Sequence, residues 1–190
     1  MIAAIAAAAL AVAAPCPDLV TPEAMICRAI RAQAEGAFSE SAQAFEQGAV
    51  AAPDSDPATA RLWAAAGNMW LAAGENGKAA LALDKALARP GLQAEQHGNT
   101  LLDRARVAEA QGDLKLARTR FDEAAQSLSG DAFYWYFGAA LALREGDHAR
   151  AESAILRALS IAPNEASILF EAGHVAQSAG QDGKAREYWN

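Results

Sequence analysis

Five glycines, Gly36, Gly74, Gly112, Gly146 and Gly180, set a register that returns along the chain at intervals of 38, 38, 34 and 34 residues. Five positions after each glycine stands a small residue (Ser41, Ala79, Ala117, Ala151, Ala185), and four further on a large apolar one (Phe45, Leu83, Phe121, Ile155, Trp189). Small residues return three positions later at Gly48, Ala86, Ala124 and Ala158. Ahead of the glycines runs a second series: Met25, Ala29 and Ala32; Trp63, Gly67 and Trp70; Leu101, Ala105 and Ala108; Trp135, Ala139 and Ala142; Leu169, Gly173 and Ala176. Steps of four and three keep each trio on one stripe of a helix. The pattern predicts helix, glycine-containing turn, helix, five times over. Units of this length cannot bury an apolar face alone and must stack on one another.

Composition agrees. Apolar residues make up 53% of the 190, but the excess is alanine, the strongest helix former, rather than the β-branched residues that favour strands. The fold class expected is all-α. A formal charge of −7 argues against a nucleic-acid partner, because phosphate recognition needs a face rich in Lys and Arg.

The repeated residues resemble the tetratricopeptide repeat, whose signature is W-x2-L-G-x2-Y…A-x3-F…P with a 34-residue period. The resemblance covers Pro22 to Asn190. It implies a right-handed superhelical stack of antiparallel helix pairs, an α-solenoid whose first helices line a concave groove and whose second helices form the convex back. Units are expected at about 22–55, 60–93, 98–131, 132–165 and 166–190, the last incomplete, after a tail at 15–21. One position departs from the signature: the Leu before the small residue is replaced by Arg28, Ala66, Arg104, Gly138 and Ala172, so packing between units must be partly this chain's own. Thr21-Pro22 and Asp56-Pro57 mark helix starts, with Asp131 and Asn164 as further capping residues. The four extra residues of the 38-residue intervals are about one helical turn and are expected to lengthen a first helix. Gly98 counts against that extension after Pro90-Gly91.

At the N-terminus, Ile2–Ala14 is apolar and uncharged but shorter than the roughly 20 residues needed to cross a bilayer. Ala11 and Ala13 fit an A-x-A cleavage pattern. Residues 1–14 therefore read as a signal peptide, although no Lys or Arg follows Met1, and the chain as a bacterial periplasmic or secreted protein with no membrane span after processing. A cytoplasmic protein with an alanine-rich first helix is the alternative. In an oxidising compartment Cys16 and Cys27, the only cysteines, can form a disulfide that pins the tail to the first helix; otherwise Cys27 is a small buried hydrophobe and Cys16 a free thiol.

Carrying the family's groove positions across gives partner-binding candidates Asn68, Arg106, Glu109, Phe133, Tyr136, Phe137, Phe170 and His174. The run FYWYF at 133–137 places five aromatic residues in succession, and a helix cannot hide all five on one stripe. Trp135 belongs to the core by register, leaving Phe133, Tyr136 and Phe137 for the groove. The competing reading is packing between units, with Phe137 meeting Phe170. Asn68 and Arg106 match only faintly the two-carboxylate clamp with which some tetratricopeptide domains hold chaperone tails.

His97, His148 and His174 fall in different units, and no nucleophile-elbow, phosphate-loop or zinc-protease motif is present. No enzymatic activity, cofactor or metal is expected. The function expected is a non-enzymatic protein–protein interaction adaptor or scaffold that binds a partner peptide or helix in the groove. The alternatives are a structural homo-oligomerisation module and an accessory subunit of an envelope assembly. The fifth unit keeps Ala185 and Trp189 but lacks its closing turn, so either this chain is the front part of a longer protein or its end is an assembly surface. Tyr188 and Trp189 are then expected to stay partly uncovered, with the last helix frayed or held by another chain.

Overall fold

Ten helices follow one another in residues 15–190, the part of the chain that the computed structural model describes; the expected signal peptide at 1–14 lies outside it. They are α1 (Pro22–Ala34), α2 (Phe38–Ala51), α3 (Pro57–Ala72), α4 (Asn76–Leu87), α5 (Ala94–Ala110), α6 (Leu114–Leu128), α7 (Ala132–Arg144), α8 (His148–Ile161), α9 (Ala166–Ser178) and α10 (Asp182–Trp189). Odd- and even-numbered helices pair as antiparallel hairpins, and the hairpins stack as a right-handed α-solenoid. Among the described residues no helix is long and apolar enough to cross a membrane.

The glycine register is the register of the hairpin turns. Gly36, Gly74, Gly112, Gly146 and Gly180 all adopt left-handed φ between +72° and +82°, which a side chain would strain. In the third hairpin the Gly112 N–H bonds Glu109 O at 2.9 Å and the Asp113 N–H bonds Ala108 O at 2.9 Å, so the turn satisfies two carbonyls at the end of α5. Asp113 then accepts from Leu116 N at 3.0 Å and starts α6. Gly146 and Asp147 repeat the device, with Asp147 accepting from Arg150 N at 3.0 Å. The paired Gly-Asp steps in the sequence are therefore one residue that ends a helix and one that begins the next.

Thr21, Asp56 and Asp131 cap α1, α3 and α7 by accepting from Ala24 N, Ala58 N and Tyr134 N. Asn164 does not cap α9: Glu165 occupies that place, and its side chain makes no capping bond. The longer intervals lengthen first helices, α3 to 16 and α5 to 17 residues against 13 in α1, α7 and α9. Gly98 sits inside α5, where a Cβ would come within 2.8 Å of the Ser127 side chain. Its bareness lets the end of α6 approach, and so it supports the extension it was expected to oppose.

Three departures from the family signature meet matching groups on the preceding element. Arg104 sends Nε to Asp84 Oδ1 of α4 at 2.8 Å. Gly138 makes room for the Phe121 ring of α6, which a Cβ at 138 would approach to 2.5 Å. Arg28, in the first of the described hairpins, donates to Pro17 O at 2.7 Å and Asp18 Oδ1 at 3.1 Å in the tail. A Cys16–Cys27 disulfide ties the same tail to α1.

Candidate functional site

The concave face is built by side chains of α3, α5, α7 and α9, each set one step further along the stack. At its centre Asp103, whose side chain is 16% exposed, accepts on both oxygens: from Asn68 Nδ2 at 2.7 Å and from Arg106 Nη1 at 2.9 Å. Neutral and charged donors from two successive hairpins thus hold one carboxylate. Beside this node opens a pocket of about 340 Å³, lined by Arg61, Asn68, Asn99 and Asp103 over an apolar floor that includes Ala65 and Met69. Glu109, one turn past Arg106, pairs with Arg144 of α7.

Arg106 also faces the next unit. Its guanidinium lies 5.4 Å from the centre of the Phe133 ring, and Phe133 stacks on Tyr136 with centroids 5.5 Å apart. Phe133 is exposed and Tyr136 half-buried. Burial pushes the Tyr136 phenol above its ordinary range; the Glu171 charge adds to this and Arg106 opposes it. Asn68, Arg106, Phe133 and Tyr136 therefore form one contiguous strip, with Glu109 alongside.

Phe137 does not join that strip. It is buried against Phe121 at a centroid distance of 6.1 Å, on the stripe of Tyr134, Gly138 and Leu141 that faces α6. Tyr134 stacks flat on the same Phe121 ring at 4.2 Å, and its hydroxyl donates to Phe121 O at 3.3 Å. Burial first, and the Asp122 charge second, push the Tyr134 phenol up to about 12, with Arg118 acting the other way. Trp135, which the register places in the core, is only half-buried and donates its indole N–H to Ser129 O at 2.8 Å. The cause is Gly138: where α7 lacks a side chain, Phe121 enters, and the rings at 134 and 137 close over it. Phe137 consequently meets Phe121 rather than Phe170.

Phe170 and His174 meet edge to face at 4.6 Å on α9, and Trp189 joins His174 at 5.5 Å. Trp189 crosses the bare Gly173 and donates its indole N–H to Phe170 O at 3.0 Å, remaining 40% exposed. Asp103 and Glu171 both lie on the groove register, but neither was singled out as a partner-binding candidate; that Asp103 joins Asn68 to Arg106 shows only in the structure.

No protein-family profile matches the sequence, and no curated protein matches it. Solved structures share its architecture, and they define the class: a tetratricopeptide-type α-solenoid. A crystal structure of MamA is similar with a TM-score of 0.70 at 15% identity, over 88% of this chain and 87% of that one. PilW, a widely conserved type IV pilus biogenesis factor, is similar with a TM-score of 0.75 at 20% identity, over 88% and 74%. YrrB, a tetratricopeptide repeat protein with an unusual peptide-binding site, gives 0.63 at 18% identity, over 87% and 81%. At these identities the likeness is one of fold.

Proposed function

We propose that the protein is a non-enzymatic scaffold that binds a segment of another protein along its concave face. The observation that carries the reading is the strip from Asn68 through Asp103 and Arg106 to Phe133 and Tyr136, where a satisfied polar node adjoins exposed aromatic rings. Rings supply contact area at little conformational cost, and a node held in place by two hairpins is already ordered before a partner arrives. YrrB, of the same fold, has a peptide-binding site, which supports the direction of the reading. The Cys16–Cys27 disulfide favours an oxidising compartment and hence the periplasmic reading.

The test is to pan a displayed peptide library against the oxidised protein. Enriched segments are expected, and Phe133→Ala and Tyr136→Ala should each weaken them about tenfold with little change in Tm. Failure to enrich any segment, or enrichment that survives both substitutions, would overturn the reading.

A further inference from the structure

Within the stack, a first helix meets the preceding unit through two positions, eight and nine residues before its turn glycine. Arg104, at the first of these, pairs with Asp84 of α4. Gly138, at the same place in its own unit, admits Phe121 of α6, and Phe137, at the second, packs on that ring. In α1 the two positions are Arg28 and Cys27, and the tail takes both: Cys27 is bonded to Cys16, and Arg28 donates to Pro17 O and Asp18. The tail thus lies where later units hold the preceding second helix. These bonds fasten it rather than packing, since Leu19 and Val20 stay exposed.

At the other end the matching face is open. The large residue nine positions after the turn glycine is at most 9% exposed in the first four units, as Phe45, Leu83, Phe121 and Ile155. In the fifth it is Trp189, 40% exposed. Charge follows the same register. Arg118, six positions after its glycine, donates Nε to Oε1 of Glu145, one position before the next glycine, at 3.1 Å. The residues with those two places at the ends of the stack are Arg186 on α10 and Glu35 at the close of α1. Arg186 makes no ion pair among the described residues, and Glu35 has only an exposed pair with Arg31 on its own helix.

We propose that the open end of α9–α10 docks head to tail on α1 of a second copy of this chain, and that the Cys16–Cys27 bond closes the junction while oxidised. The contact continues the one that the chain makes between its own units. Ala24 and Cys27 hold the places at which Tyr134 and Phe137 flank Phe121, and their small side chains leave room for the indole of Trp189. Arg186 then meets Glu35 as Arg118 meets Glu145. Tail and second copy compete for one surface. A dithiol opens it by giving two electrons and two protons to the Cys16–Cys27 bond, which becomes two thiols as the dithiol closes to its own disulfide. The tail then keeps only the hydrogen bonds of Arg28. What the concave groove binds plays no part in this junction.

The test is light scattering of the full chain, with and without a dithiol, at concentrations up to about 100 μM. Oxidised protein should stay monomeric. Reduced protein should gain mass steadily with concentration, because a head-to-tail contact repeats without closing. Reoxidation should return the monomer, and Cys16→Ser with Cys27→Ser should associate without any reductant. Arg186→Glu should weaken that association about fivefold, and Glu35→Arg in the same chain should restore it. Circular dichroism should stay unchanged throughout. A reduced chain that remains monomeric, or association equal in both redox states, would overturn the proposal. So would indifference to the charge exchange, or a mass that stops at twice the monomer, the mark of a symmetric interface. Association accompanied by loss of helix would be unfolding rather than stacking, and would overturn it too.

Discussion

Gly138 leaves a gap in α7 that the Phe121 ring of α6 fills, and this missing side chain decides which aromatic residues are buried and which stay on the open side. Tyr134 and Phe137 flank the intruding ring and are buried, whereas Phe133 and Tyr136 stand on the open side. Truncation should separate the two sets. Phe137→Ala is expected to cost about 3–5 kcal/mol in urea denaturation, because it empties a packed site. Tyr136→Ala should cost about 1 kcal/mol, as befits a half-exposed ring. Similar costs would place both rings in the core. Tyr134 provides a second check. Its folded pKa, about 12, lies above the ordinary 10, so the folded state holds its proton longer than the unfolded chain. That contribution is whole below pH 10 and is lost as pH rises from 10 toward 12, by about 1.4 kcal/mol per unit of difference. Tyr134→Phe should flatten this alkaline decline in stability if the phenol is its source.

The elements show what a sequence can disclose and what it hides. Hairpin turns were legible because glycine returns at all five of them with a left-handed φ, and at two of them an Asp follows to start the next helix. Helix lengths were legible from the four-residue excess in two intervals. Asn164 was misread because capping depends on which residue leaves helical geometry last, and there it is Glu165. FYWYF could not be apportioned from the sequence, since five adjacent rings define no stripe. Their sides are set by a partner twelve to sixteen residues back, at Phe121. The polar node was half legible: Asn68 and Arg106 follow the groove register, but the carboxylate joining them is visible only once α3 and α5 lie side by side. Two predictions belong to the elements. Asp113→Ala should cost about 1 kcal/mol through loss of the cap on α6, measured by chemical denaturation; an effect near zero would show that the glycine turn alone fixes the start. Reducing the Cys16–Cys27 bond, which closes a short loop, should lower stability by about 2–3 kcal/mol. Protease cleavage near Pro17–Val20 should rise in the reduced protein, and an unchanged rate would show that the Arg28 contacts hold the tail unaided.

Among the described residues most of the buried apolar side chains fall into three clusters, one mainly in α1–α4, one in α5–α7 and one in α7–α9. Stability in such a stack is close to a sum of unit terms and nearest-neighbour terms, so the effect of a mutation depends on which junction it touches. The first and second clusters are joined in several ways: Val107 of α5 packs into the first, Arg104 pairs with Asp84, and Asn68 bonds Asp103. Between α6 and α7 the large residue is Phe121, with the Arg118–Glu145 ion pair at the edge. Phe121→Ala should therefore remove about 3–5 kcal/mol chiefly from one junction, without a comparable change within the first two hairpins. The segment beyond that junction, α7–α10, then loses the neighbour on which it stacks, while α1–α4 keep theirs and their disulfide-tied tail. Hydrogen exchange should register the asymmetry as a large fall in protection from α7 onward and a small one in α1–α4. If protection instead falls evenly from α1 to α10, the stack unfolds as one unit, and Phe121 is a core residue of the whole rather than the fastening of a single junction.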